Sequence, residues 1–237
     1  MTDHVLLDNR THADLRVRAE RAPELGDGVM SCLVVPAEFR RVQNEYPILF
    51  RLNLERDSFM AVALFGFETG ENLFLQDGRW DARYLPLAMD IQPFLIGLAE
   101  PGAEAKQVHI DMASPRIADD GVRVFDEHGR ATPYLEEIAE KLGELDESYQ
   151  ACEDFLTALR RHQLLEPMTL EVTLDDGSTN RLVGFHVIDE SRLRALDASA
   201  LGELHEAGHL MPIFMALASM ANLASLVARK SRRLHGG

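Results

Sequence analysis

Polar and apolar positions change their spacing along the chain, and the changes mark out elements. Residues 36–46 open with Pro36 in a first-turn position and place Phe39 and Val42 three apart, which predicts a short helix ended by Pro47. Two β runs follow at residues 48–54 and 59–67, separated by the charged turn Glu55-Arg56-Asp57, and together they predict a hairpin. Residues 71–89 follow no period. Residues 93–97 and 107–111 read as further short strands, so the first half is rich in β structure after a polar N-terminal stretch.

The middle of the chain switches to helical spacing. Leu135, Ile138, Leu142, Leu145, Tyr149, Cys152, Leu156 and Leu159 recur three, four or seven apart, predicting one long amphipathic helix or a helix pair between residues 132 and 165. Thr132 is its cap and Pro133 its first helical residue. Residues 168–174 and 181–188 then flank Asp175-Asp176-Gly177-Ser178, the clearest hairpin turn in the chain, and two helical segments are expected to follow. The pattern gives an α+β class, antiparallel hairpins with packed helices. Strand, turn and strand ending Gly66-Phe67 are echoed by strand, turn and strand ending Gly184-Phe185. The echo suggests duplication of a hairpin-plus-helix unit, with halves 1–130 and 131–237 inside one domain spanning 1–237; two unrelated hairpins that look alike are the other reading.

Composition changes this picture only by exclusion. The 237 residues carry 24 Lys plus Arg against 39 Asp plus Glu, a formal charge of −15, which disfavours binding to phosphate backbones, so no nucleic-acid partner is expected. An apolar fraction of 46% and a charged fraction of 27% are those of a folded globular chain. Cys32 and Cys152 form neither a CxxC pair nor a disulfide framework and read as inert, partly buried thiols. The N-terminus has no basic start or apolar core, which favours a cytoplasmic address.

Three stretches invite chemical readings. His205-Glu206-Ala207-Gly208-His209 matches HExxH, in which two histidines on one helix face hold zinc and the glutamate activates water. After His209 the chain has no Asp or Glu and only His235, so the downstream ligand is missing and helix-end histidines are the favoured reading. His109 and Asp111 alternate onto one strand face, as two ligands of a non-haem iron triad would, with His186 as a third and Arg192 or Arg194 for a co-substrate carboxylate; a strand-end salt bridge is the simpler reading. Residues 210–228 are uncharged and lead into Arg229, Lys230, Arg232 and Arg233, resembling a tail anchor, but Pro212, Ser219, Asn222 and Ser225 favour a buried helix whose basic end complements its dipole. No Walker A, Rossmann or GxSxG pattern occurs, and the glycine-containing stretch 66–72 reads as a turn.

Taken in order, several stretches resemble the SapC family of bacterial proteins. They include His4 to Asp8, Pro36-Ala37-Glu38-Phe39-Arg40, Ala63 to Phe67, Gly70 to Phe74, Trp80 to Tyr84 and Pro93 to Gly97. Further on come His109-Ile110-Asp111 with Ser114-Pro115-Arg116, Phe125 to Gly129, Thr132 to Leu135 and Leu174 to Gly177. The resemblance implies an accessory role near surface-layer, outer-membrane receptor or flavin-dependent halogenase-like functions, and it transfers no catalytic residue. A permease that shares the name crosses the membrane several times, which this chain, with one segment of spanning length, cannot do. The expectation is therefore a non-enzymatic accessory or regulatory protein, without a cofactor, that binds a partner protein or small ligand in an envelope or nutrient-uptake system. A binding surface is sought at Trp80, Asp81, Arg83 and Tyr84, though core anchoring by Trp80 and Tyr84 with Asp81 and Arg83 paired is the favoured reading. The alternatives are a metal-dependent enzyme, using iron at His109 and Asp111 or zinc at His205 and His209, and a peripheral or tail-anchored address at the inner membrane.

Overall fold

The computed structural model describes residues 2–53, 57–98, 106–173, 177 and 179–235. Along the chain run β1 (His4–Leu6), β2 (Arg16–Val17), β3 (Ser31–Leu33), α1 (Phe39–Val42), β4 (Ile48–Asn53), β5 (Ser58–Leu64), β6 (Leu75–Gln76), β7 (Arg79–Trp80) and α2 (Leu87–Asp90). Then come β8 (Phe94–Leu98), β9 (Lys106–Asp111), β10 (Val122–Arg123), α3 (Pro133–Arg161), β11 (Leu165–Thr173), β12 (Thr179–Ile188), α4 (Glu190–Arg194), α5 (Ala198–Glu206), α6 (Leu210–Ser219) and α7 (Asn222–His235). The class is α+β with antiparallel sheets.

Two compact units interleave in sequence: residues 1–28, 75–81 and 87–147 form the first, and residues 29–74, 82–86 and 148–237 the second. Neither is a continuous half divided near residue 130. The hairpins whose echo suggests duplication, β4–β5 and β11–β12, lie side by side in one sheet of the second unit.

In the first unit β1, β9 and β8 form an antiparallel sheet in that order, with Leu6 and Leu95 both opposite His109. The strands at 93–97 and 107–111 are thus present. The polar N-terminal stretch adds β1 as an edge strand; its three residues are too few to carry a period. Val17, Phe94, Ile110, Val124, Leu135, Ile138 and Leu142 make the core, so the apolar stripe of the first half of α3 is buried here.

The second unit is built on a five-stranded sheet in the order β11-β12-β4-β5-β3. Ile48, Leu49 and Phe50 are consecutive and all buried, as are Ala61 to Phe65, which explains why these runs read as continuous apolar blocks: the centre of the sheet is covered on both faces. The turn residues 54–56, most of the turn 175–178 and its flanking Leu174 lie outside the described residues. Residues 36–46 contain a 3₁₀ turn (Pro36–Glu38) running into the single α turn of α1, shorter than a full helix. The stretch expected to be irregular holds β6, β7 and α2.

The middle segment is one continuous helix, α3, and not a pair. After β12 there are four helices where two were expected. Asp189 caps α4 by accepting the backbone N–H of Arg192 at 2.9 Å, and Asp197 caps α5 by accepting that of Ala200 at 2.8 Å. Each cap starts a new helix that the apolar pattern alone does not separate.

Residues 210–235 are long and apolar enough to cross a membrane by length and composition, with 22% of the most apolar window buried. The segment is divided at residues 220–221 into α6 and α7. The fully buried Ser219 hydroxyl accepts the Ile48 N–H at 2.8 Å and donates to the Ala216 carbonyl at 2.6 Å, while the Asn222 amide donates to the carbonyls of Gln43 and Tyr46. Two of the residues that lower its hydropathy, Ser219 and Asn222, therefore tie it to β4 and to the chain just before it.

Candidate functional site

A concavity of the second unit lies where the second half of α3 passes the end of the β4–β5 hairpin. Tyr149, Cys152, Glu153, Leu156, Thr157 and Arg160 follow one another at spacings of three and four or neighbour each other, so a single helix face lines one side. Leu33, Asn53, Ser58, Phe59 and Met60 line the other, enclosing about 560 Å³. Arg160 closes one end by donating to the Asp57 carboxylate at 2.7 Å and to the Asp57 carbonyl at 2.5 Å. The wall is mainly apolar, with a few polar groups, which is the make-up of a small-molecule site.

Behind the wall the helix packs on buried rings. Phe155 is 1% exposed and meets Phe39 edge-on at 6.0 Å, Phe50 at 6.4 Å and the His209 ring at 5.6 Å. This side of α3 anchors the helix to the sheet and leaves the adjoining face to line the cavity. Burial, and then the neighbouring Glu153 carboxylate, push the Cys152 thiol up to about 11, and burial pushes Cys32 well above the ordinary thiol range. Both remain protonated at neutral pH, so the cavity offers no thiolate nucleophile.

The sequence candidates are dispersed. Trp80 and Asp81 fall in the first unit, Arg83 and Tyr84 in the second. Trp80 sits opposite Leu75 in the β6–β7 ribbon, and the Arg83 side chain is 95% exposed beside Glu45 at 3.9 Å. The Tyr84 hydroxyl donates to buried Glu38 at 2.7 Å, its carbonyl accepts the Tyr46 hydroxyl, and the Arg41 guanidinium covers its ring at 4.7 Å. Tyr84 is thus an anchor of the fold.

The HExxH match fails on its backbone. α5 ends at Glu206, Gly208 takes φ of +74°, and His209 precedes the first residue of α6, so His205 and His209 do not share one helix. Instead, His209 lines a pocket of about 180 Å³ with His162 and Glu203, which stand 3.7 Å apart.

His109 and Asp111 do lie two apart on β9; the His109 Nε2 is buried without a hydrogen-bond partner, while Asp111 is held by backbone donors. A Cβ on Gly97 would fall 2.7 Å from the His109 ring, and Asp111 accepts the N–H groups of Asp3 and Ala113, which hold its carboxyl below the usual range. His186 is on β12 of the second unit, edge-on to Phe59 at 4.9 Å. Arg194 pairs with Glu190. Among the described residues no group of three or more His, Cys, Asp or Glu is placed to hold a metal ion.

Burial lowers the His186 pKa below its ordinary value. The folded chain therefore binds fewer protons there than the unfolded chain, and this contribution to stability is present above about pH 6.5 and lost as pH falls below it. In urea unfolding at pH 7.5 and 5.5, His186→Leu is expected to lose less stability on acidification than the wild type; an equal loss removes His186 as a cause.

Three of the four cations of the basic C-terminal run are engaged internally. Lys230 donates to Glu68 at 2.8 Å and Glu71 at 2.5 Å, Arg233 donates to the Asn72 carbonyl at 2.9 Å, and Arg229 lies 4.4 Å over the Phe74 ring. The stretch 66–72, read as a simple turn, is the acidic dock for α7.

Compared with known proteins, the SapC family model matches residues 7–226. No curated protein and no solved structure matches the chain.

Proposed function

The chain belongs to the SapC family, and we propose that it is a non-enzymatic accessory or regulatory protein whose second unit binds a small, mainly apolar ligand in a bacterial envelope or nutrient-uptake system. The reading rests on the 560 Å³ cavity between α3 and the β4–β5 hairpin. Such a volume lies within the range of small-molecule sites, roughly 300–1,000 Å³. Leu33, Phe59, Met60 and Leu156 supply apolar wall, while Ser58, Glu153 and Thr157 give a ligand direction. Protonated Cys152 contributes a soft, polarisable surface in place of a reactive one.

A neutral, solvatochromic dye such as Nile red tests the cavity without knowledge of the natural ligand. The wild type is expected to bind it saturably at one site. Leu156→Trp fills the volume from the helix side and is expected to weaken binding at least tenfold while circular dichroism stays unchanged. Equal binding by the folded variant places the dye elsewhere and removes the cavity as the site.

A further inference from the structure

In the first unit a second, smaller cavity is lined by groups of a different kind. About 140 Å³ is enclosed by residues that include Arg18, Arg21, Arg116 and Lys141 as cations and Asp90 and Glu137 as carboxylates. The lining cations are matched in charge by Asp90 and Glu137 within it and by Asp27 and Asp120 behind it, so what the cavity offers is unspent N–H groups and not net charge.

Arg116 sets the geometry. It is 1% exposed, and its two terminal nitrogens are fully engaged: one donates to the carbonyls of Arg18 and Glu20 at 3.1 and 2.9 Å, the other to both Asp27 oxygens at 2.7 Å. Its Nε is buried with no hydrogen-bond partner. A buried guanidinium N–H without an acceptor costs free energy, so its persistence beside a cavity calls for an acceptor there.

The neighbours also have donors in surplus. Lys141 contacts Asp90 at 2.7 Å and Glu137, which uses two of its three N–H groups. Arg21 donates to Asp90 at 2.8 Å, to the Met89 carbonyl and to Asp27, and its Nε has no bond among the described contacts. Arg18 spends Nε and one terminal nitrogen on Asp120. The carboxylates of the network are thus each held by cations, while the cations keep N–H groups to spare.

We propose that this cavity is a binding subsite for a small oxyanion, either inorganic phosphate or a small carboxylate, held by the Arg116 Nε and by Lys141. The subsite does not depend on the apolar cavity: it lies in the other unit and uses none of its residues.

The test is isothermal titration of the intact protein with phosphate, acetate and succinate at constant ionic strength in chloride. One anion per chain is expected, with saturation by phosphate alone identifying a tetrahedral ligand and saturation by acetate or succinate identifying a carboxylate; either supports the subsite. Lys141→Gln, at a partly exposed position that spares the Arg116–Asp27 pair, is expected to weaken binding at least tenfold, while Arg194→Gln in the second unit leaves it unchanged. Failure of all three anions to bind, which would leave water as the acceptor, overturns the proposal, as does unaltered binding by folded Lys141→Gln.

Discussion

Asp27→Ala is expected to destabilise the protein by about 3–5 kcal/mol, the cost of leaving a buried cation without its partner. Arg116 and Asp27 are 1% and 0% exposed, and both carboxylate oxygens accept from one guanidinium nitrogen at 2.7 Å. The Asp27 carboxylate also accepts the Ala22 N–H at 2.9 Å and the Arg21 guanidinium at 3.4 Å. Truncating it strands the Arg116 charge and a backbone donor together, while Arg21 keeps Asp90 at 2.8 Å. A useful contrast is Asp120→Ala: Asp120 holds Arg18 in a good two-bond geometry, yet its side chain is 68% exposed and solvent screens the pair, so its loss is expected to cost far less than that of Asp27. Urea unfolding of both variants reads the difference directly, and equal, small losses would mean that the buried pair carries no special stability.

Phe155→Ala is expected to cost about 3–5 kcal/mol, the range for truncating a buried phenylalanine. Its ring fills the space between Phe39, Phe50 and the His209 imidazole, so its removal opens a void bounded by α1, the sheet and the approach to α6. Neighbouring Tyr149 is on the same helix but 41% exposed, and Tyr149→Ala is expected to cost much less. Comparable losses for the two would mean that α3 is held by something other than the Phe155 cluster.

What could be read in the sequence was local. Both hairpins of the second unit, the strands β8 and β9 and the helical character of α3 follow from period and turn chemistry within short windows, whereas the pairing of β8 with β9 and the continuity of α3 do not. The joining of β12 to β4, which merges the hairpins into one sheet through Phe185 opposite Arg51 and His186 opposite Phe50, has no local signature. The same holds for Arg116 and Asp27, 89 positions apart. Arg116 belongs to a stretch that carries the family resemblance, but only the fold gives it a partner.

The candidate site was hidden for a related reason. Tyr149, Cys152 and Leu156 fit the helical stripe that signals a packed core, and the period cannot say whether the facing strands fill the space or leave a cavity. HExxH, discounted in the sequence for want of a downstream ligand, is a spacing match that the fold does not keep. Its spacing presumes an unbroken helix, and Gly208 with positive φ ends that presumption between the two histidines.

Methyl-resolved NMR during a titration with small apolar fragments tests the ligand-binding account most directly, because it reports where a molecule sits. The account predicts that the first methyl signals to shift are those of Met60, Leu33 and Leu156, and that Leu156→Trp abolishes the shifts at the other two. Shifts that cluster away from these residues, or that survive in the folded variant, would contradict it.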